Sequence, residues 1–242
     1  SCMCEPVHET GGKLSEETVA WMKTQLEEAK KQGVTVIPVS HHNLLDESTL
    51  YPEECTIENT KEVTALLEAY GVPVYLSGHL HLQRIKKHTS NLNTPGGYGI
   101  REIVTSPLPM APCQYSILNW QTDGSLSYHT KKVDIAGWAQ RYGEEDENLL
   151  NFDAYADQFL VDVISIQAYK ALQSASKDIK EEMARLYADM NRDYCSGTKI
   201  DVAKIRKSEA YQYWIRYSGI DFWLARLQAI LHDARTDNTV LE

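Results

Sequence analysis

The chain has 242 residues, 43% of them hydrophobic and 24% charged, with a formal net charge of −10. This length suits one large domain, or a medium one with an appendage, and the composition is that of a globular protein. The acidic balance argues against a general nucleic-acid or membrane-surface binder, and no apolar stretch approaches the ~18–20 residues of a membrane-spanning helix. A small phosphate-containing substrate stays open, because bound metal ions invert local charge. The chain starts "SCMCEP", with neither an initiating Met nor a signal peptide, and is expected to be an internal or processed piece. Cys2, Cys4, Cys55, Cys113 and Cys195 are odd in number and irregular in spacing, so mostly free thiols are expected. The redox compartment stays open.

Residues 14–32, "LSEETVAWMKTQLEEAKKQ", predict an amphipathic helix. Ser15 is its N-cap, Glu16 and Glu17 favour the positive end of the helix dipole, and Gly33 stops it. Val19, Met22, Leu26 and Ala29 recur at helical spacing. "VTVIPV" (34–39) predicts a buried strand, followed by "SHHNLL" and a loop containing Pro52. Residues 58–70 predict a second helix ended by Gly71, and "VPVYL" (72–76) a second buried strand leading into "SGHLHLQ". The alternation of helix and strand is that of a layered α/β domain. Beyond the loop "NLNTPGGYG", "IREIVTS" reads as a strand, and "QYSILNW" and "SLSYHTKKVDI" as two strands about an Asp123-Gly124 turn. "GEEDEN" (143–148) suits a boundary, giving an α/β part over 1–147 and a helical part over 148–242. In the helical part, Tyr155, Phe159, Val163, Ile166, Tyr169 and Leu172 form one apolar stripe, and Ile179, Met183, Leu186 and Met190 another. Both are expected to be core.

The histidines carry the chemistry. His79 and His81 flank one leucine after Gly78, and His41 and His42 are adjacent. In an extended chain, residues two apart point to the same side, so His79 and His81 are expected to aim at neighbouring points. Both pairs follow the end of an apolar strand, where open α/β sheets place ligands. Neutral imidazole ligates zinc, iron and manganese. One His-x-His motif is a weak signal, but two pairs in the same structural context agree. Asp46 and Glu47 are either supports for the His41-His42 pair or a solvated loop. "HETGGK" (8–13) lacks the spacing of a phosphate-binding loop and reads as an ordinary turn with His8 in solvent. His88, His129 and His232 read as structural or surface residues.

The series "GGKLSEETVAWMKTQLEEAKKQG", "VIPVSHHNLLDES" and "VPVYLSGHLHLQ" resembles the C-terminal half of a calcineurin-like metallophosphoesterase. The tail after residue 150 is similar, in architecture more than motif, to the helical C-terminal domain of bacterial class III cyclic-nucleotide phosphodiesterases. The resemblance implies the C-terminal half of a layered α/β sandwich followed by an α-helical domain. It also implies two divalent ions (Mn, Fe or Zn) clamping a phosphate ester. His41 and His79 would bind one ion, His81 the other, and His42 would contact substrate. The family's Asp-x-His, Gly-Asp-x-x-Asp and Gly-Asn-His motifs do not occur here, and its catalytic histidine goes with them. This chain alone is therefore expected to hold one ion or none and to be inactive. It would need an upstream segment or a second chain to complete its sheet. The parent would hydrolyse phosphomonoesters or phosphodiesters, cyclic nucleotides among them. The competing reading is a degenerate, non-catalytic binding or interaction module.

Overall fold

The computed structural model describes residues 11–50, 55–88, 99–172, 175–217 and 222–241. Cys2, Cys4, His8, Pro52 and most of "NLNTPGGYG" lie outside the described residues. Among the described residues, helices combine with two small sheets, and the C-terminal part is mostly helical, an α/β architecture. It divides into two compact units: Ser1–Leu80 with Arg84–Thr105, and His81–Gln83 with Ser106–Glu242.

The first unit opens with helix α1 (Glu16–Gln32), bounded as its caps predict. Ser15 accepts from the Thr18 N–H, and Gly33 takes the left-handed φ of 68° that closes the helix. Leu26 of α1 is buried with Val63 and Leu67 of α2 (Thr60–Ala69), Leu44, Leu45, Val72, Tyr75 and Ile100. β1 (Val74–Ser77) runs parallel to β3 (Arg101–Val104), which pairs antiparallel with β2 (Arg84–Lys87). β2 follows directly on the histidine motif and carries no sequence signal of its own. The predicted strand "VTVIPV" is not one. It meets β1 only at a parallel bridge between Val39 and Leu76, with Ser40 N–H donating to Leu76 and Leu76 N–H to Pro38. A β-branched run becomes a strand only when a neighbour supplies a ladder, and here the contact lasts for one bridge.

In the second unit, β4 (Gln114–Trp120) and β5 (Leu126–Lys132) form the expected hairpin, and the short β6 (Val240–Leu241) adds to β5. Helices α3 (Ile135–Tyr142), α4 (Glu147–Leu150), α5 (Phe152–Ala171), α6 (Lys177–Ser196), α7 (Val202–Lys207), α8 (Glu209–Tyr217) and α9 (Phe222–Asp233) follow. Met183 and Met190 of α6, Trp214 of α8, and Leu227, Ile230 and Leu231 of α9 are fully buried. The Trp214 indole N–H donates to the Met183 carbonyl at 2.9 Å, and its ring lies 5.7 Å from that of Tyr187. The stripe on α5 departs from expectation: Tyr155, Phe159, Val163 and Ile166 are exposed, while Val161, Ala168 and the following Leu172 face the core.

Candidate functional site

The loop after Pro38 and the turn after β1 are stitched together by their backbones. Beyond the Val39–Leu76 bridge, Gly78 N–H donates to the His41 carbonyl at 3.1 Å. Side chains add to this. The Tyr75 hydroxyl donates to Ser40 Oγ at 2.7 Å, and Ser40 donates to the His42 carbonyl at 2.5 Å. The buried Asn43 amide donates to Ser77 Oγ at 2.9 Å and to the Gly78 carbonyl at 3.3 Å.

This stitching brings three imidazoles together. His41 Nε2 and His79 Nδ1 are 3.1 Å apart, and their ring centroids 5.0 Å. The His42 ring centroid lies 4.5 Å from that of His79 and 5.5 Å from that of His41. Gly12, bridged in parallel to Ile57, leaves room for the His42 ring, since a Cβ there would stand 3.2 Å from His42 Nδ1. The glycine pair expected to be a plain turn is thus a close backbone approach.

The His-x-His stretch is not extended. Residues 79–82 are successive bends, and His79 and His81 both take left-handed backbone conformations, with φ of 65° and 54°. Such conformations cost on the order of 1–3 kcal/mol each for non-glycine residues and gather at functional sites. His81 is exposed and groups with the second unit, as do Leu82 and Gln83 after it. The Gln83 N–H donates to the Cys195 carbonyl at 3.0 Å and its amide to the Asn238 carbonyl at 2.9 Å.

Beneath the His41-His42 loop lie two buried carboxylates, Glu47 and Glu102, of which Glu102 was not singled out from the sequence. Glu102 of β3 is fully buried. It accepts from Leu44 N–H at 2.7 Å, Leu45 N–H at 2.5 Å and the Ser77 hydroxyl at 2.5 Å. One side chain therefore ties the chain just past His41 and His42 to the strand end just before His79. Burial pushes its carboxyl up, against hydrogen bonds that favour the ionised form. Glu47, also buried, is pushed up further, by desolvation and by Glu102 beside it, with Arg84 Nε at 3.2 Å opposing. Glu47 is thus neither a solvated loop residue nor a partner of the imidazoles. Asp46 is exposed, and its carbonyl accepts from Lys86. The sequence signal was an acid between Ile100 and Ile103 in an apolar strand. His88 has a partner as well, Glu68 Oε1 at 2.8 Å.

Imidazole nitrogens are donors that a divalent ion accepts, but two of them fill only part of its coordination sphere. Two imidazole nitrogens each about 2.1 Å from one ion stand about 3.0–3.4 Å apart at angles of about 90–109°. The 3.1 Å separation of His41 Nε2 and His79 Nδ1 falls in that range. Without an ion, the same approach is a hydrogen bond between complementary tautomers. Among the described residues, no group of three or more His, Cys, Asp or Glu side chains is arranged to hold a metal ion.

The architecture defines an α/β unit with an imidazole cluster at a strand end, and a second, largely helical unit. Residues 134–237, in that second unit, match the family described as the C-terminal domain of cyclic nucleotide phosphodiesterase. The likeness noted for the tail is thereby met by an independent match, which supports a cyclic nucleotide phosphodiesterase-like family for this part of the chain. No curated protein matches the sequence.

Proposed function

We propose that the chain is part of a metal-dependent phosphodiesterase acting on cyclic nucleotides, with His41 and His79 holding one divalent ion. The observation that carries the reading is the 3.1 Å approach of two ring nitrogens from separate motifs. The match over residues 134–237 supports a cyclic nucleotide phosphodiesterase-like family for that part of the chain, and the substrate class proposed here is drawn from that likeness. A bound Zn²⁺, Mn²⁺ or Fe²⁺ polarises a phosphoryl oxygen and lowers the pKa of a bound water. The protein's own part is positional. Asn43, Ser77 and Glu102 fix the two backbones that carry the ligands, so the imidazoles meet an ion without reorganising. The His42 ring lies beside His79 and against Gly12, and in this reading it would hydrogen-bond a phosphate oxygen of the substrate.

Two imidazoles fall short of a two-ion clamp, so this chain alone turns over substrate poorly. The test is calorimetric titration with Zn²⁺ or Mn²⁺, followed by assay of cyclic AMP hydrolysis. One ion is expected to bind, and His41→Ala or His79→Ala should each weaken it at least tenfold, whereas His129→Ala should not. Absence of binding by the wild-type chain would reject the reading in favour of a degenerate interaction module. Rapid hydrolysis abolished by His79→Ala would show a complete site instead of half of one.

A further inference from the structure

The helical unit holds a cavity whose charge runs against that of the chain as a whole. Its volume is about 520 Å³, and Lys199, Ile200, Asp201, Val202, Arg206 and Arg235 line it. The chain carries a net charge of −10. Two backbone hydrogen bonds set the frame. Ile200 N–H donates to the Ala234 carbonyl and Asn238 N–H to the Gly197 carbonyl, each at 2.9 Å. They lace the segment after α6 to the segment after α9, so the backbone positions of Lys199 and Arg235 are fixed to each other. α7 supplies Arg206, whose carbonyl accepts from the Gln212 amide at 2.8 Å. The cations are unmatched. Arg84 meets Glu47, Lys132 meets Asp153, and Arg192 meets Asp189 and Asp193. Among the described residues, Lys199, Arg206 and Arg235 form no ion pair. Arg235 Nε donates to the Leu231 carbonyl at 3.3 Å, which leaves its two terminal nitrogens to the cavity. Asp201 gives one oxygen to the Lys204 N–H at 3.0 Å as N-cap of α7. Three cations against one carboxylate leave an excess of two positive charges in the lining.

We infer that this cavity binds a small molecule through a phosphate group carrying two or more negative charges, as in a nucleoside monophosphate or a diphosphate. Like charges gathered in one concavity repel, and a cleft lined by one sign concentrates the opposite ion. The planar guanidinium forks of Arg206 and Arg235 suit pairs of phosphate oxygens, and Lys199 adds a point charge. The volume falls within the roughly 300–1,000 Å³ of small-ligand sites. It leaves room for an organic body beside the phosphate, with Ile200 and Val202 as its apolar contacts. A long polyanion is disfavoured, because the acidic chain repels every phosphate that falls outside the cavity. The site shares no residue with the imidazole cluster and requires no metal ion, so it does not rest on the function proposed above.

Calorimetric titration of the full chain with inorganic pyrophosphate, AMP and cyclic AMP tests this, with EDTA present to keep metal ions from the imidazoles. Pyrophosphate is expected to bind once per chain, with a dissociation constant on the order of 100 µM. AMP should bind more weakly, and cyclic AMP, with a single charge, most weakly. Arg206→Gln with Arg235→Gln should weaken pyrophosphate about tenfold or more. Both side chains are exposed, so the far-ultraviolet dichroism should be unchanged. Lys23→Gln with Lys61→Gln removes the same charge from exposed positions of α1 and α2. It should leave binding within about twofold of wild type, because salt screens distant surface charges. Absence of pyrophosphate binding, an equal loss in the two double variants, or equal affinity for the three ligands would overturn the proposal.

Discussion

The two units hold themselves together by different means. The helical unit rests on large apolar side chains: Trp214, Met183, Met190, Leu227, Ile230 and Leu231 are fully buried. The first unit also has an apolar cluster, but its histidine-bearing end rests on a buried carboxylate. Glu102 gathers two backbone N–H groups and a hydroxyl from segments far apart in sequence. Apolar packing is non-directional and tolerates repacking. A buried polar hub is directional and fixes atoms, but every member must stay satisfied. The histidine-bearing end has the second kind of support and the helical unit the first.

Substitutions can break that contrast in order of effect. Trp214→Ala removes the largest buried ring and its hydrogen bond to Met183. A loss of about 3–5 kcal/mol is expected from the unfolding transition of the helical unit, read by urea denaturation. Glu102→Gln keeps the volume but turns an amide N–H₂ toward one of the two backbone donors. A loss of about 1–3 kcal/mol is expected, with hydrogen exchange at Leu44 or Leu45 faster by an order of magnitude or more. An unaltered exchange rate would show that the carboxylate is a bystander. The smallest effect sharpens the comparison through pH. Glu47 is held above its ordinary value, so the folded state keeps its proton after the unfolded state has released it. The stability contributed by the neutral form is complete below the ordinary glutamate value. It falls as pH rises from there through the raised folded value. Glu47→Gln should match wild type near pH 4 and exceed it at pH 8, in thermal unfolding followed across that range. A constant gap at all pH values would mean that Glu47 ionises normally.

What the sequence disclosed was whatever depends on near neighbours. Ser15 and Gly33 bound α1 because caps act within one turn. The Asp123-Gly124 turn joins β4 to β5 because a glycine there, at φ 84°, needs no distant partner. The imidazole cluster was half legible: adjacency to apolar runs pointed to His41, His42 and His79. Glu102 was not legible as their support, because its hydrogen bonds span 25 residues to Ser77 and 57–58 to Leu45 and Leu44. Periodicity identified α5 as a helix but could not say which of its apolar sides faces the core. "VTVIPV" shows the converse failure, since β propensity was present without a lengthwise partner.

The left-handed backbones of His79 and His81 bear on how this chain would change under selection. Glycine occupies such conformations without steric penalty, and asparagine does so more readily than most residues. Libraries sorted for heat resistance alone should therefore drift toward Gly or Asn at these two positions. A thermostable variant obtained that way would lose its imidazoles before it lost its fold, because heat selection alone does nothing to hold the histidines in place.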